Sequence, residues 1–133
     1  MAGDRSPASS DAAGDASGAS EPASLIDRIA MELDLLVRNV DIVEQLSGKR
    51  PMGIIRLSET LHLPIHKVRY SLHLLEREGV IQPSADGAIV TDRAREFWRQ
   101  MDAALDRMSE QLRHLKERTA GHQDATSANR KGY

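Results

Sequence analysis

The 133-residue chain contains no cysteine, which removes disulfides, thiolate metal sites and cysteine nucleophiles together. No run approaches the ~20 consecutive apolar residues that a bilayer-spanning helix requires. The N-terminal stretch also lacks the apolar centre of a secretory leader. The expected setting is the cytoplasm, with no membrane partner. Large apolar residues are missing from positions 1–23 after Met1, where Ala, Ser, Gly, Asp and Pro dominate. Such a segment cannot bury enough surface to offset the entropy of ordering it, so a disordered tail is expected over 1–23. Strong net charge is missing too: 18 Lys and Arg stand against 20 Asp and Glu, for −2. That is not the footprint of a strongly basic polyanion binder.

What is there begins with an uneven distribution of that charge. The tail carries Asp4, Asp11, Asp15 and Glu21 against Arg5 alone. Residues 47–80 carry Lys49, Arg50, Arg56, Lys67, Arg69 and Arg77 against Glu59, Glu76 and Glu78. Positive charge is thus modestly concentrated on the middle of the chain.

That middle, LSETLHLPIHKVRYSLHLLEREG over residues 57–79, reads as a short helix, a tight turn and a longer amphipathic helix. Leu57 and Leu61 share a face at a spacing of four. Pro64 interrupts the pattern and suits the first turn of a new helix, where a missing N–H goes unnoticed. Ile65, Val68, Leu72 and Leu75 then recur at the helical period, and Gly79 supplies a stop. Two helices joined by so short a turn make a helix-turn-helix. Before them, β-branched Gly53-Ile54-Ile55-Arg56 predicts a brief strand over 53–56, leading into a helix over 57–62 and a second over 64–78. After them, two short apolar runs flank Ser84-Ala85-Asp86-Gly87, a hairpin signal over 80–91. A helix-turn-helix followed at once by a hairpin is a winged helix.

Two longer helices flank this unit. Ser24 is a plausible cap for the first, over 24–47, with Asp27 completing a capping-box-like pair. Its positions Ile26, Ile29, Leu33, Leu36, Val40 and Val43 alternate three and four apart, as in a coiled-coil seam. Thr91 caps the last, over 92–118, where Ala94, Trp98, Met101, Leu105, Met108, Leu112 and Leu115 alternate four and three. Residues 119–133 are expected to be a second disordered tail. The predicted fold class is mainly α with a small β-hairpin: one winged helix-turn-helix domain over 24–118 between two tails.

The stretch GIIRLSETLHLPIHKVRYSLHLLEREGVIQP, with IVTDRAREF after it, resembles the winged helix-turn-helix transcriptional regulators of prokaryotes, especially small archaeal ones. The likeness covers about a third of the chain. It implies a second helix that reads the DNA major groove, a wing that touches backbone or minor groove, and flanking helices that build a dimer. Two positions depart from the family pattern. His62 stands where the turn usually has glycine, and the wing is short, tipped by Asp86, with no Arg or Lys between Gln82 and Thr91.

Placed at about 100° per residue, residues 65–77 put Ile65, Val68, Leu72 and Leu75 on one side. His66, Tyr70, His73 and Arg77 point nearly opposite, flanked by Lys67 and Arg69. Lys67 and Arg69 suit phosphates or guanine edges, and Tyr70 and the histidines suit backbone or bases. His66, Lys67 and Tyr70, nearest the helix start, are the leading candidates for base contact. Arg56, Lys49 and Arg50 are candidates for phosphate clamps. Enzymatic chemistry is thin. His62, His66 and His73 straddle a turn without a carboxylate set, so no metal or other cofactor is expected. Ser58, Glu59 and His62 resemble catalytic parts only by residue type, and Gly48-Lys49 lacks phosphate-loop spacing.

Two functions from different classes follow. One is a homodimeric regulator on double-stranded DNA, its two-fold interface formed by both seams and its reading helices set to half-sites about one turn apart. The other is a protein-interaction winged helix that uses its flanking helices as arms. The acidic wing tip and near-neutral charge favour the second, and the outward face of residues 66–77 favours the first.

Overall fold

The computed structural model describes residues 24–48 and 50–131, with the side chains of the final helix described as far as residue 125. The expected tail over 1–23, Lys49 and the last two residues lie outside the described residues. The molecule is mainly helical with one two-stranded antiparallel sheet, in the order α1 (Leu25–Leu46), α2 (Ile54–Leu61), α3 (Ile65–Arg77), β1 (Ile81–Ser84), β2 (Gly87–Val90) and α4 (Ala94–Lys131). No helix among the described residues is long and apolar enough to cross a membrane.

Ser24 starts α1: its hydroxyl accepts the Asp27 N–H at 3.1 Å and satisfies one of the four N–H groups that a helix start leaves open. Only the far end of α1 enters the core, through Ile42, Val43 and Leu46. These pack with Met52, Leu57, Val68, Leu75, Val80, Ile81 and Ala94 into one cluster, supplemented by partly buried Phe97 and Trp98. The core therefore lies where α1, α2, α3, the hairpin and the first turn of α4 converge. The beginning of α1 and most of α4 extend away from it as exposed arms.

The strand expected over 53–56 does not form. Gly53 is instead the N-cap of α2, and Ile54, Ile55 and Arg56 are helical. The apolar pattern that decides is Ile54, Leu57 and Leu61, spaced three and four, which turns one helical face toward the core. What remains of a third strand is one bridge, in which Met52 and Ala88 exchange both backbone bonds at 3.2 and 2.9 Å.

Between α2 and α3 the chain turns in three residues. His62 takes the left-handed conformation, φ 57° and ψ 47°, that ends α2. This is the position where glycine is cheapest, and histidine is among the few other residues enriched there. Ser58 secures the turn twice: its carbonyl accepts the Leu63 N–H at 3.0 Å and its hydroxyl donates to the Leu63 carbonyl. Pro64 lies just before α3 as its N-cap, rather than inside the first turn. The end of α3 is a Schellman closure, with the Val80 N–H on the Leu75 carbonyl, the Gly79 N–H on the Glu76 carbonyl, and Gly79 at φ 79°.

The hairpin pairs Ile81 with Val90 and Ser84 with Gly87 around the two-residue loop Ala85-Asp86. Thr91 then fastens it to the helices. Its hydroxyl donates to the Gly79 carbonyl and accepts the Arg93 N–H at 3.1 Å. The final helix does not stop at residue 118: α4 continues to Lys131, so the expected second tail is helical over 119–131. Nothing in TAGHQDATSANRK terminates a helix except Gly121, which costs only about 1 kcal/mol, and its alanines are the best helix formers.

Candidate nucleic-acid interface

The outward face of α3 carries the candidate residues. Helix position fixes which side chains reach it: Val68, Ser71 and Leu75 are buried against the core, and Leu72 is half-buried. Ile65, expected on the buried side, is 41% exposed. Its place is taken by Ser71, which is fully buried. The correction has a polar cause. Arg38 of α1 donates from Nε to the Ser71 hydroxyl at 2.8 Å, so a hydroxyl belongs on this buried face. Periodicity read only from apolar residues passes over it.

His66, Lys67, Arg69, Tyr70, His73 and Arg77 are all exposed, as are Arg56 on α2 and Arg50 in the loop before it. Lys67 and Arg69 occupy opposite flanks of the α3 face. His66, Lys67 and Tyr70 line a shallow groove of about 330 Å³ with Met31, Glu32, Leu35 and Arg38 of α1. Lys67 also borders a second groove, of about 180 Å³, whose lining includes Asp34 and Asp41. Neither Arg50 nor Arg56 lines these grooves. Among the described residues, no group of three or more His, Asp or Glu is positioned to hold a metal ion.

The ion pairs among the described residues all lie on α4. Arg99 bonds Glu96 at 2.6 Å, Arg113 bonds Glu110 and Glu117, and His114 lies 3.3 Å from Glu110. The Arg99 guanidinium, helped by Gln100, holds the Glu96 carboxyl below its ordinary range. Among the described residues, Arg56, Lys67, Arg69 and Arg77 make no ion pair. Cations on α3 are therefore available to an outside anion, as are Arg95, Arg107, Lys116 and Arg118 on α4, where Arg99 and Arg113 are paired within the helix. The hairpin tip differs: Ser84, Ala85 and Asp86 are exposed and bring no cation.

The residues expected to meet a second copy fall into three sets. Val43 is 0% exposed and belongs to the chain's own core, so it is unavailable to a partner. The α1 seam reaches the convergence of all elements at that point, and a full turn of it is used up there. Leu36, Val40, Trp98 and Met101 are partly covered, Trp98 edge-on against Phe97 with ring centres 5.1 Å apart. Ile26, Ile29 and Leu33 on α1, and Leu105, Met108, Leu112 and Leu115 on α4, remain exposed, Ile26 at 75% and Leu112 at 60%. Val37, outside the expected seam, joins the exposed stripe of α1.

A further feature escaped sequence reasoning. A cleft of about 450 Å³ lies between α1, the end of α3 and the start of α4, lined by Asn39, Leu74, Glu78, Arg93, Phe97 and neighbours. The Asn39 side-chain oxygen is buried and, among the described residues, has no hydrogen-bond partner. Compared with known proteins, the chain matches no family model and no curated protein sequence.

Proposed function

We propose that the chain is a winged helix-turn-helix protein that binds double-stranded DNA as a homodimer and regulates transcription, with α3 in the major groove. The observation that carries this reading is the solvent-facing side of α3, where Lys67, Arg69 and Arg77 make no ion pair among the described residues and stand beside Tyr70, His66 and His73. Cations of this kind exchange condensed counterions for phosphate contacts, and Tyr and His add hydrogen bonds to backbone or base edges. The turn at His62–Pro64 and the hairpin after Gly79 support the assignment of α2, α3 and the sheet as motif and wing. The tip at Asp86 argues that α3, not the wing, supplies most of the affinity. Exposed apolar stripes on α1 and α4 support self-association.

Anisotropy titration against random and genomic duplexes at two salt concentrations tests the reading. Binding that is undetectable even at low salt removes it. Replacing both Lys67 and Arg69 by Ala is expected to abolish binding at moderate salt and, where binding persists, to lower the salt slope by about two. Sedimentation of the variant should be unchanged. The competing reading, a protein-interaction module acting through its arms, draws on the same exposed stripes and on the acidic hairpin tip, and predicts no salt-dependent binding to DNA.

A further inference from the structure

We infer that α4 pairs with α4 of a second copy in an antiparallel coil whose two-fold axis crosses the seam at the level of Glu110. The inference rests on the homodimer in the proposed function and specifies its geometry.

In the seam of α4, Trp98 and Met101 are already partly covered near the core, which leaves Leu105, Met108, Leu112 and Leu115 as the unpartnered stripe. These four are self-complementary in one antiparallel register. Leu105 meets the partner's Leu115, and Met108 meets the partner's Leu112, so each exposed apolar residue covers another.

Charge selects the same register. The ion pairs that α4 makes within itself involve Glu96, Arg99, Glu110, Arg113, His114 and Glu117, which lie on the side away from the seam. Asp102 and Lys116 flank the seam instead and, among the described residues, make no ion pair. The proposed register sets Asp102 against the partner's Lys116, twice by symmetry. A parallel pair would set Asp102 against the partner's Phe97 and Lys116 against the partner's Gln111, with no charge complement. Sliding the antiparallel pair by one heptad would set Arg95 against the partner's Lys116, two like charges. Flanking charges of this sort commonly fix register and orientation in coiled coils.

In this register the two Ala94 residues are separated by about 32 residues of helix rise, or about 48 Å along the coil. The two cores then lie at opposite ends of a rod. That distance exceeds one turn of DNA, about 34 Å, so half-sites spaced by more than one turn replace the one-turn spacing.

The absence of cysteine makes the test direct. Ser109→Cys and Gln123→Cys, each spin-labelled in the full-length chain, report distances across the dimer by pulsed dipolar spectroscopy without DNA. The antiparallel coil predicts a separation below about 20 Å for Ser109→Cys and about 40 Å for Gln123→Cys. Short distances at both sites mean a parallel pair and overturn the inference. Absent dipolar coupling with monomeric sedimentation overturns it as well. Charge exchange gives an independent readout. Asp102→Lys and Lys116→Asp should each weaken the dimer about tenfold, and the two together in one chain should restore it. A double variant no tighter than either single one overturns the register. All of these measurements omit DNA, so a chain that dimerises in this way and fails to bind DNA sinks only the DNA reading. A parallel dimer that binds DNA sinks only the register.

Discussion

Gly87 opens β2 at φ 129°, a conformation that side chains with a Cβ rarely adopt. An added Cβ would lie 2.5 Å from the Met52 carbonyl carbon and 2.7 Å from both the Met52 oxygen and the Gly53 nitrogen. All three atoms are backbone, so no side chain can swing aside. Gly87→Ala therefore incurs two costs. Backbone strain at such a φ is worth about 1–3 kcal/mol. Relief of the clash must also move Met52 off the hairpin, breaking the pair of backbone bonds it shares with Ala88, at about 0.5–1.5 kcal/mol each. The expected loss is roughly 4 kcal/mol, a large share of the ~5–15 kcal/mol that stabilises an ordinary domain. Urea unfolding followed by circular dichroism measures it. Asp86→Ala in the same turn is the control: this exposed side chain should change stability by less than about 0.5 kcal/mol. A loss under about 1 kcal/mol for Gly87→Ala would refute the close approach of the hairpin to the segment that opens α2. The consequence reaches the candidate interface, because that segment leads into α2 and the turn that holds the start of α3.

Two further outcomes follow from single residues. Ser71→Ala should cost about 1–2 kcal/mol, since it leaves the Arg38 Nε without its acceptor, and a double-mutant cycle with Arg38→Met should show coupling near 1 kcal/mol; coupling under about 0.3 kcal/mol would mean that the bond does not tie α1 to α3. Gly121→Ala meets nothing within 4 Å and should raise helicity and stability by up to about 1 kcal/mol; unchanged ellipticity would contradict a continuous helix through residues 119–131.

Where periodicity and a terminating residue agree, the elements are legible from sequence. Ser24 caps α1, Gly79 closes α3, and Asp86-Gly87 marks the turn between the strands. Misreadings arise where a local signal competes with a wider one. Ile54-Ile55-Arg56 has β-branched composition, yet the burial of Ile54, Leu57 and Leu61 on one side makes it helical. Tertiary packing overrides propensity over so short a stretch. Residues 119–131, expected to lie in a disordered tail, are helical although they lack an apolar seam. Their local propensity extends an already nucleated helix, and each added residue needs only to propagate it. Val43 fits the α1 seam by spacing alone, but spacing cannot tell a partner's surface from the chain's own core.

The candidate site shows the same division. A helical wheel places Lys67 and Arg69 symmetrically about the outward face of α3, because it knows only the angle about that helix's own axis. The folded chain makes them unequal. Lys67 leans toward α1, into grooves that also hold Glu32, Asp34 and Asp41, whereas Arg69 lines neither groove. Carboxylates around Lys67 lower the local potential that a phosphate would meet, and exposed charges at such range are screened by salt but not erased. Arg38 partly offsets them from within the same grooves, held in place by Ser71. The α1 flank of the outward face of α3 is thus set by a balance of charges from two helices. That difference between the two flanks comes from the fold and is invisible in the order of residues along α3.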